Sequence, residues 1–373
     1  MAKRKAPISV SQEQTTPLLQ INSSIQNQKS SDFYPIYRSK PTGTLASAVG
    51  KAEINLDAIT KKGIITLGDI VLTISNFDSL KGSISVSTDK LLRHSIATFT
   101  QRNSKGNLND TLVSIPLKEY ALLCGYDVNE RETNTEEEAE KEALRISNVL
   151  RDVRKKINKD LNILYEMSAT WDEKINGKSS SFDDIRLVQS KGIRNGYINI
   201  RLGSDFAGYL VGCSINQFAV PLLSLDERNS NAYNIGIKMV EHYSIIDNHI
   251  KGTERLLRVK TLLGVTTLPT IEKCKQNRMS WIERIKEPLE KALDALKNQG
   301  LLDRYDYCYP DSGGDVLLDK DASLLLEEYS QWENTIIFFN FKNPPDLTEA
   351  KTTRQTKITK AKQIKEAKLK KSK

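Results

Sequence analysis

The sequence predicts an α+β protein, mainly helical, in which one helix-and-hairpin unit occurs twice between polar tails. Three observations predict it. Residues 280–307, SWIERIKEPLEKALDALKNQGLLDRYDY, read as a capped amphipathic helix running into a strand. Residues 145–171, RISNVLRDVRKKINKDLNILYEMSATW, repeat the pattern at one constant offset, with Ile146, Val149, Val153 and Ile157 falling on Ile282, Ile285, Leu289 and Leu293. Each copy follows a short apolar helix that ends in glycine, YALLCG (120–125) or KTLLG (260–264), and precedes a strand, a loop and a strand.

Residues 1–30 are rich in Ser, Gln, Asn and Thr without a period, which predicts disorder. Residues 31–83 form a lead-in whose fold the sequence leaves open, although GIITLGDIVLTI alternates as strands do. The first unit spans 84–220. It opens with STDKLLRHSIATF (87–99) as a helix capped by Ser87, Thr88 or Asp89. The acidic stretch VNERETNTEEEAEKE then forms the solvated start of its third helix. FDDIRLVQ, SKGIRNG and YINIRL supply its strand, loop and strand.

The second unit spans 221–341 and opens with Asp226 ahead of RNSNAYNIGIKMVEHYSI. Ser280 and Glu283 make a capping box, and Ile282, Ile285, Leu289, Leu293 and Leu296 make one apolar stripe. Pro288 predicts either a kink or two helices meeting at residue 287, and Gly300 ends the helix. LDRYDYCY, PDSGGD and VLLD supply the second hairpin, with residues 311–315 at its tip. Helix, turn, helix, hairpin is the winged-helix order, so the expectation is two tandem winged-helix domains followed by a basic tail over 342–373.

Bulk properties narrow the class. Four scattered cysteines (124, 213, 274, 308) give neither zinc-ligand spacing nor a disulfide framework, and free buried thiols are expected. The chain has no apolar run long enough to span a membrane, and MAKRKAPISV lacks an apolar signal core, so a soluble cytoplasmic protein is expected. The net charge of +8 is unevenly distributed. Residues 346–373 hold ten Lys/Arg against three acids, +7, and residues 1–30 carry +3, leaving −2 for the middle. Within the middle, residues 127–142 alone carry −6. Bulk charge therefore says little about the folded body, and any nucleic-acid signal must come from where cations sit within each unit.

No catalytic constellation is recognisable. His94, His242 and His249 are never adjacent or one residue apart, and packing is their expected role. There is no GxxxxGK[ST] loop. Asp183 and Asp184 are the only acids singled out as a candidate metal pair, without a partner cluster. No enzyme activity, metal or cofactor is expected; a metal-dependent nucleic-acid enzyme built on those two acids is a remote alternative. The binding signal is stronger. In the second unit Lys273, Lys275, Gln276, Asn277, Arg278, Ser280 and Trp281 precede or open the third helix, and Arg284, Lys286 and Lys291 lie off its stripe. In the first, Arg151, Arg154, Lys155 and Lys159 lie off the stripe, and Arg194 lies in the hairpin. Helix N-termini attract phosphate, and Arg, Asn and Gln read base edges, although an ordinary solvated helix face carries similar charges. Trp281 and Tyr305 are expected to pack between helix and wing.

PLKEYALLCGY…LRDVRKKINKDL…YINIRL and RLLRVKTLLGV…WIERIKEPLEKALDALKNQGLL together resemble the iteron-binding plasmid replication initiators, tandem winged-helix proteins, over residues 84–341. The resemblance implies sequence-specific binding of repeated duplex sites at an origin, autorepression, and a bacterial, plasmid-associated setting. It also implies self-association through the first domain and contact with a host helicase or initiator. By position it places Arg278, Ser280, Trp281 and Arg284 against DNA. A winged-helix transcriptional regulator is the alternative with the same fold. The acidic stretch and both tails depart from the compact family pattern.

Overall fold

The computed structural model describes residues 32–345 and 347, apart from 49–53, 58, 78–83, 104–109, 176–177, 312–313 and 318–327. The expectations for residues 1–30 and for most of the basic tail and the second hairpin's tip lie outside the described residues.

The lead-in contributes strand β1 (Phe33–Tyr37), helix α1 (Lys40–Ala48) and strands β2 (Asn55–Leu56), β3 (Gly63–Leu67) and β4 (Ile70–Ile74). The first unit follows with α2 (Val86–Asn103), β5 (Leu112–Pro116), α3 (Leu117–Leu123) and α4 (Glu136–Glu166). Next come two hairpins, β6 (Met167–Ile175) with β7 (Lys178–Arg186), and β8 (Val188–Arg194) with β9 (Tyr197–Leu202). A connector holds α5 (Ser204–Gly212), β10 (Ile215–Ala219) and α6 (Pro221–Ser224). The second unit comprises α7 (Ser230–Tyr243), α8 (Ile246–Lys251), β11 (Leu256–Arg258), α9 (Val259–Leu263) and α10 (Ile271–Gln276). It continues with a π-turn (Ile282–Lys286) leading into α11 (Glu287–Asn298), then β12 (Leu302–Asp311), β13 (Gly314–Leu317), α12 (Tyr329–Asn334) and β14 (Ile336–Phe341).

Both units contain, in order, a helix, a strand, a short helix, a long helix and two strands that join the first one in a sheet; the first unit inserts the β6–β7 hairpin, and the second adds α8, α10, β13 and α12. The sheets close in the same order, β5–β9–β8 in the first unit and β11–β14–β12 in the second, with β13 added outside β12. In each, the last strand sits between the other two, so closure requires pairing across the whole unit.

The lead-in is part of the body. β1 pairs with β10 of the connector, and β3 and β4 extend the β6–β7 hairpin into the five-stranded sheet β2–β3–β4–β6–β7. The alternation in IVLTI is thus that of a central strand, with Ile70, Leu72 and Ile74 buried.

The first hairpin differs from the sequence reading. Phe182–Arg186 ends β7, whereas Val188 begins β8 in another sheet, and the expected SKGIRNG loop is strand as far as Arg194. Only Asn195 and Gly196 turn, both left-handed (φ 51° and 77°), which is the Asn-Gly signature of a two-residue hairpin. In the second unit Val316 and Leu317 of VLLD end the outer strand β13, while the strand completing the core sheet is IIFFNF at 336–341. Helix α7 is preceded by Asn229 and not capped by Asp226, whose carboxylate instead accepts from the Arg228 backbone N–H.

Helix α4 starts as its sequence suggests. The Thr135 hydroxyl accepts from the Glu138 N–H while Glu138 accepts from the Asn134 N–H. Its first half is mostly exposed, and only from Val153 onward does a stripe of Val153, Ile157, Leu161 and Leu164 enter the core. The helix after Ser280 breaks where Pro288 predicts, at residue 287. The Glu287 N–H reaches back five residues to the Ile282 carbonyl, because Pro288 supplies no N–H to continue the regular ladder. Beyond it Leu289, Leu293 and Leu296 are fully buried against α7, whose Gly236 sits so close that a Cβ would meet Leu222 Cδ2 at 2.5 Å and Leu296 Cδ2 at 3.0 Å. Gly300, at φ 80°, closes the helix.

Helix α2 is the centre of the molecule and is buried almost all round, including Asp89, Lys90, Arg93 and His94. Asp89 accepts from Arg93 Nε at 2.8 Å and from the Tyr233 hydroxyl of α7 at 2.8 Å. Burial opposes the Arg93 charge, yet Asp89, Tyr233 and Glu241 together hold its pKa above the ordinary value. Lys90 Nζ donates to the Leu223 and Leu225 carbonyls of the connector at 2.8 and 2.5 Å, and Thr88 donates to Asp160 of α4 at 2.7 Å. His94 packs between the rings of Tyr34 and Tyr120, and burial pushes its pKa down to about 4. Asp89→Ala leaves Arg93 buried without its partner and is expected to destabilise the fold by about 3–5 kcal/mol in denaturant unfolding. A loss below about 1 kcal/mol, the scale of an exposed pair, contradicts this role for Asp89.

Candidate nucleic-acid interface

The second unit's basic residues fall on α10, the turn after it and the first turn of the long helix. Thr270 caps α10, its hydroxyl accepting from the Lys273 N–H at 3.3 Å. Cys274 is the helix's buried anchor, which leaves Lys273, Lys275 and Gln276 exposed around it. The helix ends with Arg278 N–H on the Lys275 carbonyl and Met279 N–H on the Cys274 carbonyl, at 3.2 and 2.9 Å. This closing arrangement places Arg278 in the left-handed region at φ 51°, where glycine is the usual occupant. Lys61, Asn76, Asp184 and Asn195 adopt the same left-handed region, so the conformation marks a helix end and not by itself a site.

Ser280 then caps the next helix, with the Glu283 N–H 3.5 Å from its hydroxyl. Asn277 is exposed and donates its amide to the Lys273 carbonyl at 2.9 Å. Arg284 and Lys291 are exposed, Lys286 is half-buried, and Lys291 lies 3.6 Å from Glu287. Among the described residues no carboxylate lies within ion-pair distance of Lys273, Lys275, Arg278 or Arg284. Trp281 turns inward, its ring 5.4 Å from Trp332 and 5.5 Å from Tyr329. Tyr305 is half-buried and donates to Asp294 on α11 at 2.9 Å, so it ties the strand to the helix as expected.

Two cations that sequence reasoning missed, Arg258 and Lys260, are exposed at the start of α9. Lys260 and Lys275 both line a cavity of about 780 Å³, which Glu272, Glu328 and Glu333 share. A signal was present in RVK immediately before TLLG, but only the fold brings that segment beside α10.

In the first unit Arg151, Arg154, Lys155 and Lys159 are exposed on α4, and Arg194 is exposed beside the hairpin turn. Acids accompany them: Lys155 and Arg151 lie 3.5 and 3.9 Å from Asp152. Arg151 and Arg154 also line a cavity of about 810 Å³ together with Glu130, Glu142, Ile146, Leu150 and Gly196. A bidentate Arg145 contact holds the Glu142 carboxyl down at about 2, so this acid stays charged. Both units therefore offer phosphates a mixed field, the first through Asp152, Glu130 and Glu142 and the second through Glu272, Glu328 and Glu333.

The remaining candidate groups are engaged structurally. His242 and His249 bond the Thr253 and Tyr243 carbonyls, closing the corner between α7 and α8. Asp183 accepts from the Thr170 hydroxyl at 3.2 Å and Asp184 from the Ser168 hydroxyl at 2.5 Å, both across the β6–β7 ladder. Among the described residues no group of three or more His, Cys, Asp or Glu is placed to hold a metal ion. None of the four cysteines is in a disulfide, and no helix is long and apolar enough to cross a membrane among the described residues. The chain matches no protein-family model and no curated protein.

The strained conformation of Arg278 gives a direct expectation. Arg278→Gly relieves the left-handed backbone and is expected to raise unfolding stability by about 1 kcal/mol. A drop in stability contradicts it, because the arginine would then be contributing to the fold itself.

Proposed function

We propose that the chain is a non-enzymatic protein that reads duplex DNA, built from two winged-helix units, with the segment Lys273–Lys291 of the second unit entering the major groove. The observation that carries this reading is the group of exposed cations without ion-pair partners along α10, its turn and the start of the following helix. Lys273, Lys275, Arg278 and Arg284 are exposed with no carboxylate within ion-pair distance among the described residues, although Glu272 lies near Lys275; Arg154 and Lys159 on α4 are likewise unpaired, and cations of this kind are suited to phosphates and base edges. The repeated sheet order of the two units, with the last strand between the other two in each, is compatible with the winged-helix reading.

The duplication, taken with the resemblance to plasmid initiators, favours repeated origin sites as the DNA target. In this reading Arg284 and Arg278 face bases, Lys273, Lys275 and Lys291 face phosphates, and the first unit adds backbone contacts through Arg154 and Lys159. Self-association falls to the first unit, whose cavity is lined on its apolar side by Ile146 and Leu150.

Selection from random duplex DNA is expected to recover one motif. On that motif Arg284→Ala should cost about 1–3 kcal/mol of binding and relax the base preference at one position. Lys273→Ala should weaken binding evenly across sequences and reduce the salt slope by about 1. An Arg284→Ala protein with unchanged affinity and unchanged preference rules out this helix as the reader.

A further inference from the structure

Ile282 belongs to the apolar stripe by sequence spacing, yet it is 42% exposed, whereas Ile285, Leu289 and Leu293 are at most 1% exposed. The π-turn explains the difference. A turn closed by five-residue bonds takes more residues per revolution, so the residue stacked behind Ile285 is Trp281 and not Ile282. Trp281 accordingly packs on Trp332 and Tyr329, and Ile282 is rotated out of the core. Pro288 enforces this register by withholding the N–H that a regular turn requires there. The chain thus holds a large branched side chain in water at the start of the helix that also exposes Arg284, on the flank opposite that arginine, since residues two apart do not share a helix face.

We propose that Ile282 is a specificity-determining residue that packs against the 5-methyl group of a thymine in the major groove. This deepens the DNA-reading proposal and rests on it. An apolar side chain cannot read hydrogen-bond patterns; what the major groove offers it is the thymine methyl, which no other base carries. The branched Ile282 side chain is stiff at χ1, so little rotamer freedom is lost when it docks.

The test uses the full chain on its selected duplex site, with each thymine replaced in turn by deoxyuridine, which removes the methyl and leaves base pairing intact. For the native protein one thymine is expected to lose about fourfold in affinity, the worth of one buried methyl group at about 0.8 kcal/mol. In Ile282→Ala that loss should vanish while the other positions behave as before. If the site is bound tightly but no substitution matters, or if the loss persists in Ile282→Ala, Ile282 does not read a methyl although the protein reads DNA. If no duplex sequence is enriched at all, the DNA-reading proposal fails and this one falls with it. Because Ile282 is exposed, the variant should keep the native unfolding transition, which separates a lost contact from a lost fold.

Discussion

Helix α2 carries charged groups in a place that water cannot reach, and the rest of the molecule meets most of their polar atoms, Asp89 Oδ1 being left without a hydrogen-bond partner. A buried guanidinium or ammonium is tolerable only when its partners are in position. Here those partners come from every other part of the chain. Arg93 is met by Asp89 and by the Thr42 carbonyl of the lead-in, Asp89 by Tyr233 of the second unit, and Lys90 by two connector carbonyls. Thr88 reaches Asp160 on the long helix of the first unit. Leaving any of these groups bare costs more than the bond itself contributes, so the lead-in, both units and the connector share one polar knot.

This constraint bears on binding. Two units that each present a long helix grip one duplex together only if their spacing is held, and a flexible tether would charge an ordering penalty on each binding event. If the two units bind one duplex as proposed, the α2 knot would remove that penalty by holding α7, and with it the second unit, against the first. The candidate interface is then set locally. Cys274 anchors α10 from below, the left-handed Arg278 turns the chain, and the π-turn exchanges Trp281 for Ile282 in the core.

Where the determinants were local, the sequence disclosed them. The stripe from Ile285 to Leu296, the stop at Gly300, the break at residue 287 and the late entry of α4 into the core all follow from spacing, caps and proline. Non-local pairing was hidden. IVLTI reads as a strand, but nothing in it says that its partner is MSATW nearly a hundred residues on. The first hairpin was misplaced because strand-like residues run on from Phe182 to Arg194, although the Asn-Gly pair at 195–196 carried the correct turn. Helix α2 shows no clean apolar face because both its faces are buried, and it begins at Val86, so that Ser87, Thr88 and Asp89, read as possible caps, lie inside it. Ile282 was assigned to the core by a period of 3.6, which the π-turn does not obey. The basic residues of the interface were legible as a group, and the fold added Arg258 and Lys260 beside them.

The most direct measurement is the salt dependence of duplex binding, made on the native chain and on one with Lys273, Lys275, Arg278 and Arg284 all replaced by alanine. Each phosphate contact contributes about 0.9 to the slope of log affinity against log salt. A slope shallower by about 2 to 4 in the variant, with its unfolding transition intact, is the expected result, the range reflecting how many of the four face phosphate and how many a base. An unchanged slope places the DNA contacts elsewhere and contradicts the assignment of the second unit as the reader.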